Sequence, residues 1–174
     1  INGKSVTVPD GTLIADAAKM VGIDIPVFCH HPKLEPVGMC RMCLVEVGRP
    51  MLDRVTGQAV IENGQPKIQF MPKLETACTN RVSDGMVVMT TTDKALDGQK
   101  GTVEFLLTSH PLDCPVCDKG GECPLQNLTM AFGPGQSRFI YDEKLHLEKQ
   151  VPLGELIWLD RERCIQCARC IRFQ

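Results

Sequence analysis

The 174-residue chain lacks the features that would attach it to nucleic acid, lipid or a small-molecule substrate. It has no block of Lys or Arg. Acids and bases are mixed along its length and sum to a net charge of −2, which argues against a nucleic-acid or membrane-surface role. No apolar run approaches the roughly 20 residues of a transmembrane helix. The opening Ile1-Asn2-Gly3-Lys4 has no signal-peptide character. There are no tandem repeats and no low-complexity tracts. A dinucleotide fingerprint is missing: Gly133-Pro134-Gly135 is the nearest approach, but it follows a helical pattern and contains proline. No Ser/His/Asp arrangement and no paired carboxylates stand out, so no substrate-converting site is expected within the chain. The sequon Asn127-Leu128-Thr129 is fortuitous in an intracellular protein.

Cysteine is what the chain has in excess, with ten residues. A secreted disulfide scaffold and a reduced metalloprotein both use that many. Spacing separates them. Cys40/Cys43, Cys114/Cys117, Cys164/Cys167 and Cys167/Cys170 are C-x-x-C pairs, the usual spacing of metal ligands.

Up to residue 92 the pattern predicts a small mixed β-sheet crossed by one helix. Lys4–Val8 alternates like a strand of a hairpin and Pro9-Asp10-Gly11 reads as a turn. Thr12 is a candidate N-cap for a helix with the stripe Ile14, Ala17, Ala18 and Val21, ending near Gly22. Leu44–Val47, Lys67–Phe70 and Met86–Thr91 read as strands. Residues 49–66, with Gly57 and Asn63-Gly64, read as a surface hairpin insertion. From Asp93 the pattern becomes helical at Val103, Leu106 and Leu107, is broken by Pro111 and Pro115, and resumes at Leu125, Leu128 and Ala131–Phe132. Gly133-Pro134-Gly135 ends that helix. A polar connection over 136–153 and a short strand, Leu156–Leu159, lead to the last cysteines. Expected domains are therefore 1–92, 93–135 and 136–174.

The ten cysteines form three groups. Cys29, Cys40, Cys43 and Cys78 are spaced C-x10-C-x2-C-x34-C, with three thiolates from one loop and a fourth from a distant segment, as at a ferredoxin [2Fe–2S] site. Gly38 would let backbone N–H groups approach the sulfurs. Arg41 is either a tuning cation or a surface ion pair. Phe28, Met39 and Met42 suggest an apolar wall, and His30 and His31 stand beside an already complete set. Cys114, Cys117 and Cys123 form the second group in C-x2-C-x5-C, with His110 the nearest candidate for a fourth ligand and helix capping its alternative. Gly120-Gly121 permits the turn back to Cys123. Taken alone, this set suits a [4Fe–4S] cluster or structural zinc equally. Cys164, Cys167 and Cys170 make the C-x2-C-x2-C of bacterial [4Fe–4S] ferredoxins. Their fourth ligand is expected beyond position 174, and with no initiating Met the chain reads as a fragment of a longer protein.

Together these groups, with Pro26-Val-Phe-Cys-His-His31, Gly38–Val47, Asp84-Gly-Met-Val-Val88, His110–Cys123, Gln136-Ser-Arg-Phe139 and Asp160–Cys164, resemble the N-terminal region of the large iron–sulfur subunit of respiratory complex I, NADH:quinone oxidoreductase. The resemblance implies an α+β fold: a β-grasp [2Fe–2S] ferredoxin-like domain, a small helical His/Cys [4Fe–4S] domain, and the start of a bacterial-ferredoxin-like [4Fe–4S] domain. It implies a histidine ligand in the second group and a relay of electrons toward quinone. The implied partners are an NADH-oxidising flavin subunit and downstream iron–sulfur subunits. The implied location is peripheral, on the cytoplasmic face of a bacterial inner membrane or its mitochondrial equivalent. NAD-linked hydrogenases and formate dehydrogenases share this front end and are the close rival.

Overall fold

The computed structural model describes residues 1–173, and the chain divides into two compact units, Ile1–Gly98 and a second from Gln99 onward. The division falls inside a helix.

In the first unit, Ile14–Met20 forms helix α1. Its inner face is small and apolar: Ile14, Ala15, Ala17 and Ala18 are buried. The face packs on Val45, Val47 and Val88 in a core that also contains Cys43 and Cys78. Each fully buried Val or Ile contributes about 1.5–3 kcal/mol. Thr12 is not the N-cap. That position is Leu13, and the Thr12 hydroxyl donates instead to Pro9 O at 2.7 Å, closing the preceding turn. The first helical amides find other acceptors: Ile14 N–H donates to Asn80 O and Ala15 N–H to Ala77 O. The helix start is therefore pinned to the segment that carries Cys78.

Strand β1 (Leu44–Pro50) is the centre of the sheet. A hairpin insertion follows, in which β2 (Ile61–Glu62) pairs with β3 (Gln65–Pro66) across an Asn63-Gly64 turn with both φ values positive. Strands β4 (Ile68–Phe70), β5 (Glu75–Thr76) and β6 (Val87–Met89) each pair antiparallel with β1. Val45 and Val47 point inward and are fully buried. The two-residue β5, which delivers the chain to Cys78, is too short to leave a periodic signal. Lys4–Val8 forms no strand. Lys4 N–H turns back to Ile1 O, while Asn2 N–H reaches Val88 O and Thr90 N–H reaches Asn2 Oδ1.

Helix α2 (Asp93–Leu107) begins earlier than its apolar spacing suggested. In the second unit it continues to Leu107, with Val103 buried. Helix α3 (Pro124–Phe132) places proline at its first turn and buries Leu125. Arg138 clasps Glu104 of α2 through Nε and Nη2, both at 2.6 Å. A small hairpin joins β7 (Val151–Pro152) to β8 (Trp158–Leu159), and α4 (Arg169–Phe173) closes the described chain. Among the described residues no helix is long and apolar enough to cross a membrane.

Candidate metal centres

None of the ten cysteines is in a disulfide. The structure brings Cys29, Cys40, Cys43 and Cys78 together. Cys29, Cys43 and Cys78 are buried and Cys40 is partly so. The loop closes on its own sulfurs. Cys29 N–H points to Cys40 Sγ and Cys40 N–H to Cys29 Sγ, each at 3.4 Å, and Met42 N–H reaches Cys40 Sγ at 3.5 Å. Two backbone positions make this wrapping possible. Arg41, between the C-x-x-C cysteines, is left-handed at φ +61°. Gly38 has φ +59°, and a Cβ there would lie 3.0 Å from the Thr79 methyl. Its N–H therefore faces the Cys78 sulfur. The Thr76 and Thr79 hydroxyls hydrogen-bond to each other and brace the same turn.

The protonation of this group is strongly skewed. A hydrogen bond from Cys78 lowers the Cys43 pKa. The same bond, then burial, pushes Cys78 far up. Burial raises Cys40. Thiolates brought this close repel one another, and a cationic centre that joins them offsets that repulsion. This donor set fits a cluster that binds four thiolates. Phe28 and Met42 are buried, whereas Met39, expected beside them, is 57% exposed. His30 is buried, with Nε2 3.9 Å from Asp16 Oδ1.

In the second unit, His110, Cys114, Cys117 and Cys123 line a single cavity of about 430 Å³. Leu107, Pro111 and Leu125 provide apolar wall, and Arg163 and Asp113 border it. The loop is built by local geometry. Residues 114–116 form one 3-10 turn, with Cys117 N–H donating to Cys114 O and Gly120 N–H to Cys117 O. Gly120 has no room for a side chain: a Cβ would stand 2.7 Å from Cys114 O and 3.1 Å from Cys117 O. Cys123 sits at the N-cap of α3. Burial first, then the Lys144 charge, lowers the His110 pKa, so its imidazole is neutral near neutral pH. Lys144 itself donates to Leu107 O and Thr108 O at the end of α2.

Cys164 and Cys170 are exposed and Cys167 is half-buried. Gln166 and Ala168 are both left-handed, at φ +54° and +58°, and Gln166 N–H points to Cys164 Sγ at 3.4 Å. Two non-glycine residues in that region, each at a cost of about 1–3 kcal/mol, mark a loop shaped for a purpose. Among the described residues no three His, Cys, Asp or Glu side chains converge on one bare metal-ion position.

Residues 1–93 match the family described as "2Fe-2S iron-sulfur cluster binding domain". The chain belongs to that family. Residues 99–138 match a second one, "NADH-ubiquinone oxidoreductase-G iron-sulfur binding region". This iron–sulfur chain thus has regions for a [2Fe–2S] and a [4Fe–4S] cluster. Over 99% of its length it is 44% identical to the NADH-quinone oxidoreductase subunit 3 of Thermus thermophilus and 48% identical to the G subunit of the NADH-quinone oxidoreductase of Streptomyces coelicolor. It spans 24% and 18% of those proteins. A solved structure of an NAD+-reducing [NiFe]-hydrogenase in the H2-reduced state aligns with a TM-score of 0.71 at 27% identity, covering 96% of this chain and 60% of the other.

Sequence reasoning missed the charged network of the iron–sulfur chain's second unit. Glu162, only 3% exposed at its side chain, accepts from His146 Nδ1 at 2.9 Å, from Leu147 N–H at 3.1 Å and from Lys149 Nζ at 2.9 Å. Asp113 takes both Lys149 and Arg163. These partners lie far apart in the chain and carry no shared motif.

Proposed function

We propose that this chain is an electron relay of an NADH:quinone oxidoreductase, with its clusters held on three ligand sets. In this reading Cys29, Cys40, Cys43 and Cys78 bind the [2Fe–2S] cluster. His110, Cys114, Cys117 and Cys123 bind a [4Fe–4S] cluster, and Cys164, Cys167 and Cys170 supply three ligands of another. The single observation that carries it is the common cavity of His110 and three cysteines, met on the same chain as a second, largely buried group of four cysteines. The clusters supply one-electron chemistry. The protein sets their potentials through ligand type, N–H groups aimed at sulfur, and burial. The neutral His110 would leave its cluster less negative than four thiolates would.

The finer fold follows the same reading. A β-grasp ferredoxin-like domain over residues 1–92 fits α1 packed across the sheet around β1. A helical His/Cys domain over 93–135 and a bacterial-ferredoxin-like start over 136–174 would share the second unit, except for residues 93–98, which belong to the first. Partners would be a flavin subunit that oxidises NADH and further iron–sulfur subunits, in a peripheral position at the membrane. The structural likeness to an NAD+-reducing hydrogenase favours one second reading, the equivalent relay in a hydrogenase. Identity of 44–48% with the quinone oxidoreductase subunits places it second.

Anaerobic reconstitution, metal analysis and EPR of the dithionite-reduced chain test the reading. Separate [2Fe–2S] and [4Fe–4S] signals are expected. A colourless, EPR-silent protein with stoichiometric zinc would refute it.

A further inference from the structure

One cation ties the second and third cysteine groups together. Arg163 immediately precedes Cys164 and also borders the cavity of His110, Cys114, Cys117 and Cys123. Its Nε and Nη2 donate to Asp113 Oδ2 at 3.1 and 3.0 Å, and Asp113 immediately precedes Cys114. The same Nε lies 3.3 Å from Asp160 Oδ2. Asp160 shapes the turn into Cys164, accepting from Glu162 N–H and Arg163 N–H, each at 3.1 Å. Lys149 reaches the same Asp113 oxygen and also binds Glu162. The Arg163 side chain is 27% exposed, so it is held rather than solvated. A guanidinium stays charged at any working pH, and its planar fork fixes the direction of its donors.

We propose that Arg163 is a positioning residue shared by two cluster sites, locking the turn before Cys114 to the turn before Cys164 and placing a fixed positive charge on the wall of the His110 cavity. This rests on the reading above that the cavity holds a [4Fe–4S] cluster. A cation at that wall favours the reduced, more negative cluster and so raises its potential. The bordering Asp113 opposes it.

The test is an EPR-monitored redox titration of the reconstituted full chain and of R163Q and R163K. The His110 cluster is assigned by the shift that H110C produces. In R163Q its reduction equilibrium is expected to weaken about tenfold, which is 59 mV for one electron. R163K, which keeps the charge, restores most of that loss. The [2Fe–2S] potential does not move in either variant, as a merely structural defect would not guarantee. An R163Q protein with full iron content and wild-type potential overturns the proposal. If R163Q loses its cluster, R163K decides: a retained cluster near the wild-type potential supports the cation's role, and one whose reduction is weakened tenfold or more overturns it. A wild-type chain without any [4Fe–4S] signal overturns the underlying reading, and this proposal with it.

Discussion

At the residue scale, a single missing methyl group governs the second site. Gly120 lies against two backbone carbonyls, Cys114 O and Cys117 O, neither of which can move without moving a cysteine. Gly120→Ala forces that turn open, an overpacking that typically costs about 1–3 kcal/mol. Its expected result is loss of the [4Fe–4S] EPR signal assigned to His110, with the [2Fe–2S] signal retained. Retention of both at wild-type intensity would show that the turn yields elsewhere. His110 makes a second residue-scale prediction. Its imidazole is held neutral by burial and by Lys144. His110→Cys replaces a neutral ligand with a thiolate and should lower the potential of that cluster while keeping its iron. An unchanged potential, read by the same titration, would remove His110 from the ligand set. The C-x-x-C pairs were legible in sequence because that spacing is local, whereas the approach of Cys78 to Cys43 depends on the fold. Gly120 was legible as a turn glycine, but its contact with Cys114 O was not, since that depends on the fold of the loop. Met39 was misread for a related reason: its place beside Cys40 says nothing about which way the chain turns.

At the element scale, the exposed insertion and the buried network behave oppositely. Met51 N–H donates to Lys67 O, so the two ends of the insertion already face each other. Replacing residues 52–66 with a two-residue Asn-Gly turn should close a regular hairpin there. Loop length enters stability weakly, at roughly 0.6 kcal/mol per doubling. Iron content and the [2Fe–2S] potential should be unchanged, and a lost cluster would give the hairpin a structural role. Glu162 is the reverse case. Lys149 first, then His146, lowers its pKa. A carboxylate so held contributes stability that is complete above its unfolded pKa of about 4.3 and is lost as pH falls through its folded value. Acid melting of the reconstituted chain should therefore steepen below that pH. In Glu162→Gln, which removes the titrating group, that dependence should flatten. An unaltered pH profile would show that the network carries no linked protons. Elements were readable from sequence where they were long or sharply bounded, as with α3 and β1. Two-residue strands such as β5 and β7 were not, because they exist only through their partners. Lys4–Val8 failed in the other direction: alternation predicts a strand, but a strand also needs a neighbour to bond.

At the scale of the whole molecule, the two units hold their cysteines in a similar way. Each carries its cysteines on short turns with N–H groups aimed at sulfur. Glu162, Asp113 and Asp160 all accept backbone or cationic donors and are not left free for proton transfer. In the proposed relay a chain built this way would pass electrons between partners, and its electron source should lie outside it. The matched relatives, of which this chain spans 18–24%, are named for an NADH-linked activity, whereas no dinucleotide fingerprint occurs in these 174 residues. Hence the loaded chain alone should stay oxidised when NADH is added, although dithionite bleaches its iron–sulfur absorbance at once. Addition of a flavin-containing NADH-oxidising subunit should allow NADH to bleach it. The comparison separates two physical cases. A donor that must dock limits reduction by its affinity and by salt, whereas a nucleotide site within the chain would make reduction by NADH independent of any partner. Rapid bleaching by NADH with no second protein present would establish the latter, and the relay would have to be redrawn as an enzyme in its own right.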